Sequence, residues 1–130
     1  MKKYNIKPVP APRMTQSDKW KKRPCVTRYF NFRDEVNVTD LTVNKGGTVI
    51  IFDIAMSKSW NKKKRAEKLH QPHDQKPDID NLSKAILDAL FIEDKEVYNI
   101  IPYKFWAEKD AIYIEHTKPK TRAELIKAGY

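Results

Sequence analysis

Cysteine occurs once, at Cys25, so no disulfide can form within the chain and a reducing compartment is the expectation. No apolar stretch approaches the roughly 20 residues needed to cross a bilayer, and the longest, Thr48 to Met56, is broken by Asp53. The opening Met1-Lys2-Lys3-Tyr4-Asn5-Ile6 lacks the apolar run of a secretory signal. A cytoplasmic protein with no membrane partner is therefore expected. Glycine is scarce, with three in the chain, and there is neither a low-complexity tract nor an internal repeat, which argues against disorder although eight prolines will interrupt regular structure. At 130 residues, one domain spanning 1–130 is the natural reading, large enough for a core and small enough for oligomerisation to help.

Positive charge is what the chain has in excess, with 26 Lys/Arg against 17 Asp/Glu and a formal net charge of +9. It is unevenly placed. Residues 1–76 hold 18 basic and 7 acidic side chains, whereas residues 77–130 hold 8 and 10. A basic front half is the electrostatic footprint of nucleic-acid binding, through phosphate contacts and counterion release. Solubility alone is the plainer alternative.

Three prolines, Pro8, Pro10 and Pro12, make residues 2–13 a short edge strand around Tyr4 to Ile6 that runs into extended, irregular chain. Residues 14–24, with Trp20, read as loop, and residues 27–38 as a short helix with Tyr29, Phe30, Phe32 and Val36 as its apolar positions. After the Gly46-Gly47 turn signal, Thr48 to Met56 is the strongest strand, with Ile50, Phe52, Ile54 and Met56 on one apolar face. Asp53, on the other face, reads as a solvent-facing or paired structural residue. Residues 57–76 are basic, show no apolar period, and read as a loop with one helical turn. From Asp80 to about Phe91, the stripe Leu82, Ala85, Ile86, Ala89 and Leu90 predicts an amphipathic helix. Strands over Val97–Trp106 and Ala111–His116 follow, and Thr121 to Gly129 suits a short helix capped by Thr121 and Glu124.

Against this basic background, carboxylates gather between Pro77 and Val97: Asp78, Asp80, Asp88, Glu93, Asp94 and Glu96. Clustered carboxylates repel one another unless a cation sits among them, which suggests a metal-dependent nuclease. Asp78 and Asp80, two residues apart, would point the same way on extended backbone. Lys84 and Asp88 lie one and two turns further along the helix from Asp80. A return of the chain after the helix would bring a third carboxylate from Glu93-Asp94. Hard oxygen ligands suit Mg²⁺, with Mn²⁺ as a substitute, and leave coordination positions for water and substrate phosphate. Each piece also has a structural alternative: Asp80 as a cap, Asp78 as a complement to the helix dipole, Lys84 as an ion-pair partner of Asp80 or Asp88.

The string Lys76-Pro77-Asp78-Ile79-Asp80-Asn81-Leu82-Ser83-Lys84, continuing through Asp88 and Leu90 to Glu93-Asp94-Lys95-Glu96-Val97, resembles the signature of the RusA family of Holliday-junction resolvases. Every position of that family's Asp-x-Asp-Asn-x-x-Lys-x-x-x-Asp-x-Leu pattern, and of the acidic pair before Glu-Val, is met. The similarity extends more loosely to Pro8–Arg13 and to Ser59-Trp60 with the following lysines and His73. Two departures stand out: the connection from Leu90 to Glu93 is shorter than in the best-known member, and Pro77 replaces one of the basic residues that can precede the first aspartate.

The resemblance implies an α+β fold with a mixed β-sheet packed by helices, and a homodimer that places two sites across a four-way DNA junction. It implies that Asp78, Asp80 and Asp94 are metal ligands, with Lys84 as the catalytic lysine and Asp88 structural. The expected activity is Mg²⁺-dependent crossover junction endodeoxyribonuclease, in the cytoplasm and nucleoid of a bacterial or phage-infected cell. DNA contacts are expected from Arg13, Lys62, Lys63, Lys64, Arg65, Lys76 and His73, with Trp60 stacking or wedging at the branch point. Core packing is the alternative for Trp60, and a surface position the simpler reading of His73. The rival functions are a nuclease of broader taste for branched or flap DNA and a non-catalytic basic DNA-binding protein.

Overall fold

The run Thr48–Ala55, dense in β-branched residues, forms the strand around which the sheet is built. A computed structural model of the chain describes residues 1–13, 23–90 and 96–130. Its elements are β1 (Lys2–Tyr4), α1 (Pro24–Asn37), β2 (Thr48–Ala55), α2 (Lys62–Lys68), α3 (Ile79–Ala89), β3 (Ile100–Ala107), β4 (Ala111–His116) and α4 (Arg122–Lys127). The sheet runs β1-β4-β2-β3. β2 pairs in parallel with β3 and antiparallel with β4, and β4 pairs antiparallel with β1. The expected α+β class with a mixed sheet is what the chain adopts.

Alternation along β2 sends Ile50 and Phe52 to one face, where they meet Ile112 and Ile114 of β4. Across that face lie Tyr29, Phe32 and Val36 of α1 and Leu82, Ala85, Ile86 and Ala89 of α3. Burying each large side chain in this seam contributes roughly 1.5–3 kcal/mol over leaving it in water, so the seam fixes α3 against the sheet. The first four residues of the α3 stripe are wholly buried, as its periodicity predicts, and Leu90 is half-buried beyond the helix. On the other sheet face Asp53 is half-buried, and burial pushes its carboxyl above the ordinary range. No helix among the described residues is long and apolar enough to cross a membrane.

Several expected boundaries move for identifiable reasons. β1 stops at Tyr4, short of Ile6, because its partner β4 begins at Ala111 and the register pairs Tyr4 with Ile112. Helix α1 starts three residues earlier than expected, since a proline at the first helical position loses no hydrogen bond there. Phe30 lies off its buried stripe of Val26, Tyr29, Phe32 and Val36. β3 begins at Ile100 instead of Val97 because its parallel partner begins at Thr48. The chain before it is tied to the preceding loop, with the Tyr98 N–H donating to the Lys45 carbonyl at 2.9 Å and the Gly47 N–H to Asn99 Oδ1 at 2.9 Å.

The largest correction concerns residues 57–76, read as loop with a single helical turn. Lys62–Lys68 is a helix, capped by the Asn61 side chain, which accepts the Lys64 N–H at 2.8 Å. It buries no residue fully, so it leaves no apolar stripe for periodicity to detect. Beyond α2 the chain lies along the free edge of β3: the His70 N–H donates to Trp106 O at 2.9 Å, the Trp106 N–H to Gln71 O at 3.0 Å and the His73 N–H to Lys104 O at 3.1 Å. That strand-like pairing covers an otherwise open edge and delivers the chain to α3.

Candidate active site

Proline at position 77 keeps Lys76 out of helical geometry, and α3 then begins at once, so the two aspartates of the motif fall at its N-terminus. Asp78 is the N-cap, with extended backbone (φ −71°, ψ 148°), and Asp80 lies in the first turn. The expectation that both point one way from extended backbone is therefore corrected, because the chain turns helical between them. Both carboxylates lie at the positive end of the α3 dipole. Both are exposed, and the Asp78 side chain makes no capping hydrogen bond, so its oxygens are not consumed by the helix.

The proline-rich segment docks beside them. The Ala11 N–H donates to the Asn81 carbonyl at 3.0 Å, which sets Pro10 and Ala11 against the start of α3. Pro10, Ala11, Lys76, Pro77, Asp78 and Asn81 line a groove of about 390 Å³ there. Lys76 is exposed at that groove, and Arg13 follows just beyond Pro12, also exposed. The Arg13 carbonyl accepts from the Arg23 guanidinium at 2.8 Å, leaving the Arg13 guanidinium outside that bond.

Lys84 pairs with Asp88, Nζ to Oδ2 at 3.4 Å, and not with Asp80. The same Asp88 oxygen accepts the Tyr29 hydroxyl at 2.9 Å, so Asp88 ties α3 to α1 and has the structural role expected of it. Lys84 keeps 55% of its side-chain surface in solvent. Glu93 and Asp94 lie outside the described residues, and no group of three or more His, Cys, Asp or Glu side chains comes together among the described ones. The donor set at the start of α3, hard carboxylate oxygens with no protein partner among the described residues, fits a Mg²⁺-type cation.

The expected DNA contacts divide. Lys62, Lys63 and Lys64 stand exposed on α2, Lys64 Nζ lying 4.3 Å from the Trp60 ring centroid. Arg65 is half-buried and occupied, donating to Glu108 Oε2 and to the Ser57 carbonyl, each at 3.0 Å. Trp60 packs edge-on against Trp106, ring centroids 4.8 Å apart, so the packing alternative describes it better than a free wedge. His73 is no surface residue: it is 4% exposed, its ring is 4.1 Å from that of Trp106, and burial together with the Lys104 ammonium holds its imidazole below the ordinary value. His73 Nδ1 and Trp106 Nε1 are both buried without a hydrogen-bond partner among the described residues.

One residue that sequence reasoning missed belongs here. Lys104 donates from Nζ to the carbonyls of Gln75, at 2.7 Å, and Pro77, at 2.9 Å, immediately before Asp78. Its role shows in the register and not in the local sequence, since Lys104 pairs across the sheet with the core residue Phe52.

Comparison with protein-family models matches residues 6–116 to the family described as Endodeoxyribonuclease RusA. Comparison with curated proteins and with solved structures gives no match. The matched span runs from the docked N-terminal segment to the end of β4 and so contains every candidate residue of the groove and of α3.

Proposed function

Because the chain belongs to the RusA endodeoxyribonuclease family, we propose that it is a Mg²⁺-dependent nuclease that resolves four-way DNA junctions by paired, symmetric nicks. The observation that carries this reading is the pair Asp78 and Asp80 at the N-terminus of α3, exposed and unengaged among the described residues, in a chain of net charge +9. The 130 residues act as one endonuclease domain.

Asp78, Asp80 and Asp94 would hold the cation, with Mn²⁺ as a substitute; when bound it supplies charge neutralisation at the scissile phosphate and lowers the pKa of a water. Lys84, largely in solvent one turn beyond Asp80, offsets charge that develops on the phosphate. Its pairing with Asp88 orients the ammonium without burying it. Arg13, Lys62, Lys63, Lys64 and Lys76 contact the DNA backbone, where each neutralised phosphate releases counterions. Two nicks related by a two-fold axis call for two identical sites in that relation, which a two-fold homodimer provides.

The test is a synthetic four-way junction with end-labelled arms, incubated with and without Mg²⁺. Symmetric nicks that require the metal support the proposal. Binding without nicks would make the protein a non-catalytic DNA-binding module. Cleavage of flaps and other branched forms at equal rates would point to a nuclease of broader specificity.

A further inference from the structure

Pro77 has no amide hydrogen, so the bend that leads into Asp78 cannot be anchored through that nitrogen, and its hydrogen-bonded anchors are carbonyl groups. Lys104 is their donor. It sits on β3 opposite Phe52, on the sheet face turned toward the helices. From there its ammonium reaches the carbonyls of Gln75 and Pro77, at 2.7 and 2.9 Å, while its own backbone carbonyl accepts the His73 N–H at 3.1 Å. A single residue thus clamps the approach to Asp78 at His73, Gln75 and Pro77.

We propose that Lys104 is a positioning residue for Asp78. By fixing the direction of the Pro77 carbonyl it fixes the peptide plane from which the Asp78 side chain departs, and so sets cation affinity and turnover while leaving DNA affinity alone. Bonds from an ammonium are stronger than those from a neutral donor, which suits a lysine to holding this approach. With two carbonyls engaged, this ammonium is directed into the protein and away from a phosphate. The inference rests on the reading of Asp78 as a cation ligand, and its test separates the two.

Mn²⁺ alone is titrated calorimetrically into the full-length protein and its variants Asp78→Asn, Lys104→Met and Lys104→Arg, with metal-free junction binding and turnover measured on each. Groups that orient metal ligands are worth about 10- to 100-fold in affinity or activity, so Lys104→Met is expected to weaken Mn²⁺ binding at least tenfold and slow turnover comparably. Junction Kd should stay within about twofold of the wild type, because no phosphate contact is removed. Lys104→Arg, which keeps the donors and the charge, should recover most of the loss. If Lys104→Met does not fold, Lys104→Gln, with a shorter reach, replaces it under the same criterion. Wild-type Mn²⁺ affinity in the lysine variant, with affinity lost in Asp78→Asn, would overturn the positioning role and leave the cation site standing. Retained Mn²⁺ affinity in Asp78→Asn would instead remove the reading beneath it.

Discussion

The first turn of α3 and the stretch from Trp60 to His73 are both rich in polar and charged side chains, and one segment laid along β3 joins them, yet they use those side chains in opposite ways. At α3, Lys76, Asp78 and Asp80 are exposed, and their side chains make no hydrogen bond or ion pair to another described residue. Around Trp60, Arg65 is taken up by Glu108 and Ser57, Trp60 by Trp106, and His73 by burial against the same indole. Lys62, Lys63 and Lys64 of α2 stay exposed. Composition marks where charge is concentrated, while the neighbouring strand decides which of it stays available to a ligand.

The sharpest way to break the comparison is Asp80→Asn. An exposed carboxylate without a protein partner can be neutralised with little loss of stability, so a large functional effect must come from a ligand. Loss of a metal ligand removes several kcal/mol of transition-state stabilisation, and cleavage of a four-way junction should fall at least about 1,000-fold. Junction binding in a gel-shift assay should be kept or tightened, since a negative charge near phosphate is gone. Undiminished cleavage with Mg²⁺ would sink the assignment.

The opposite pattern is expected two turns along the same helix. Asp88 accepts the Tyr29 hydroxyl in a half-buried setting, and a hydrogen bond to a charged group there is worth roughly 2 kcal/mol. Asp88→Ala should lower the unfolding free energy obtained from a urea titration by about that amount, while cleavage falls only through freeing Lys84. A smaller effect is expected on α2. Lys62→Gln with Lys63→Gln should weaken junction binding by about tenfold and flatten its salt dependence by nearly one unit of slope per lost phosphate contact. Arg65→Gln, by contrast, should show chiefly in thermal stability, because its guanidinium is spent within the protein.

How much of this was legible follows from which signals are local. The stripe on α3 could be read because burial repeats with the helical period, and β2 because β-branched residues dominate a run of eight. Helix α2 could not, since it buries nothing fully and owes its start to one asparagine side chain. The motif supplied the aspartates of the site but not the backbone beneath them, for the switch from extended to helical between Asp78 and Asp80 depends on α3 docking against α1 and the sheet. His73 and Lys104 escaped for a common reason. Each takes its role from a pairing between segments about 30 residues apart, to which neither local sequence points.

The smallest expected effect tests the inward region directly, through acid. Burial and the nearby Lys104 charge hold the folded His73 imidazole below its ordinary value, so as pH falls through about 6.5 the unfolded chain takes up a proton that the folded chain refuses. Stability should therefore drop on acidification from pH 7.5 to 5.5. Asp53 pulls the other way, because its raised carboxyl lets the folded chain keep a proton that the unfolded one releases, but that gain begins only as pH nears the carboxylate range. In His73→Phe the ring still packs on Trp106 and nothing is left to protonate. Its Tm should then vary less between pH 7.5 and 5.5 than that of the wild type, by about 2 °C or more. An equal acid sensitivity in the two proteins would mean that His73 titrates as a surface histidine does, and the contrast between an inward-turned stretch and an outward-facing helix start would lose its clearest member.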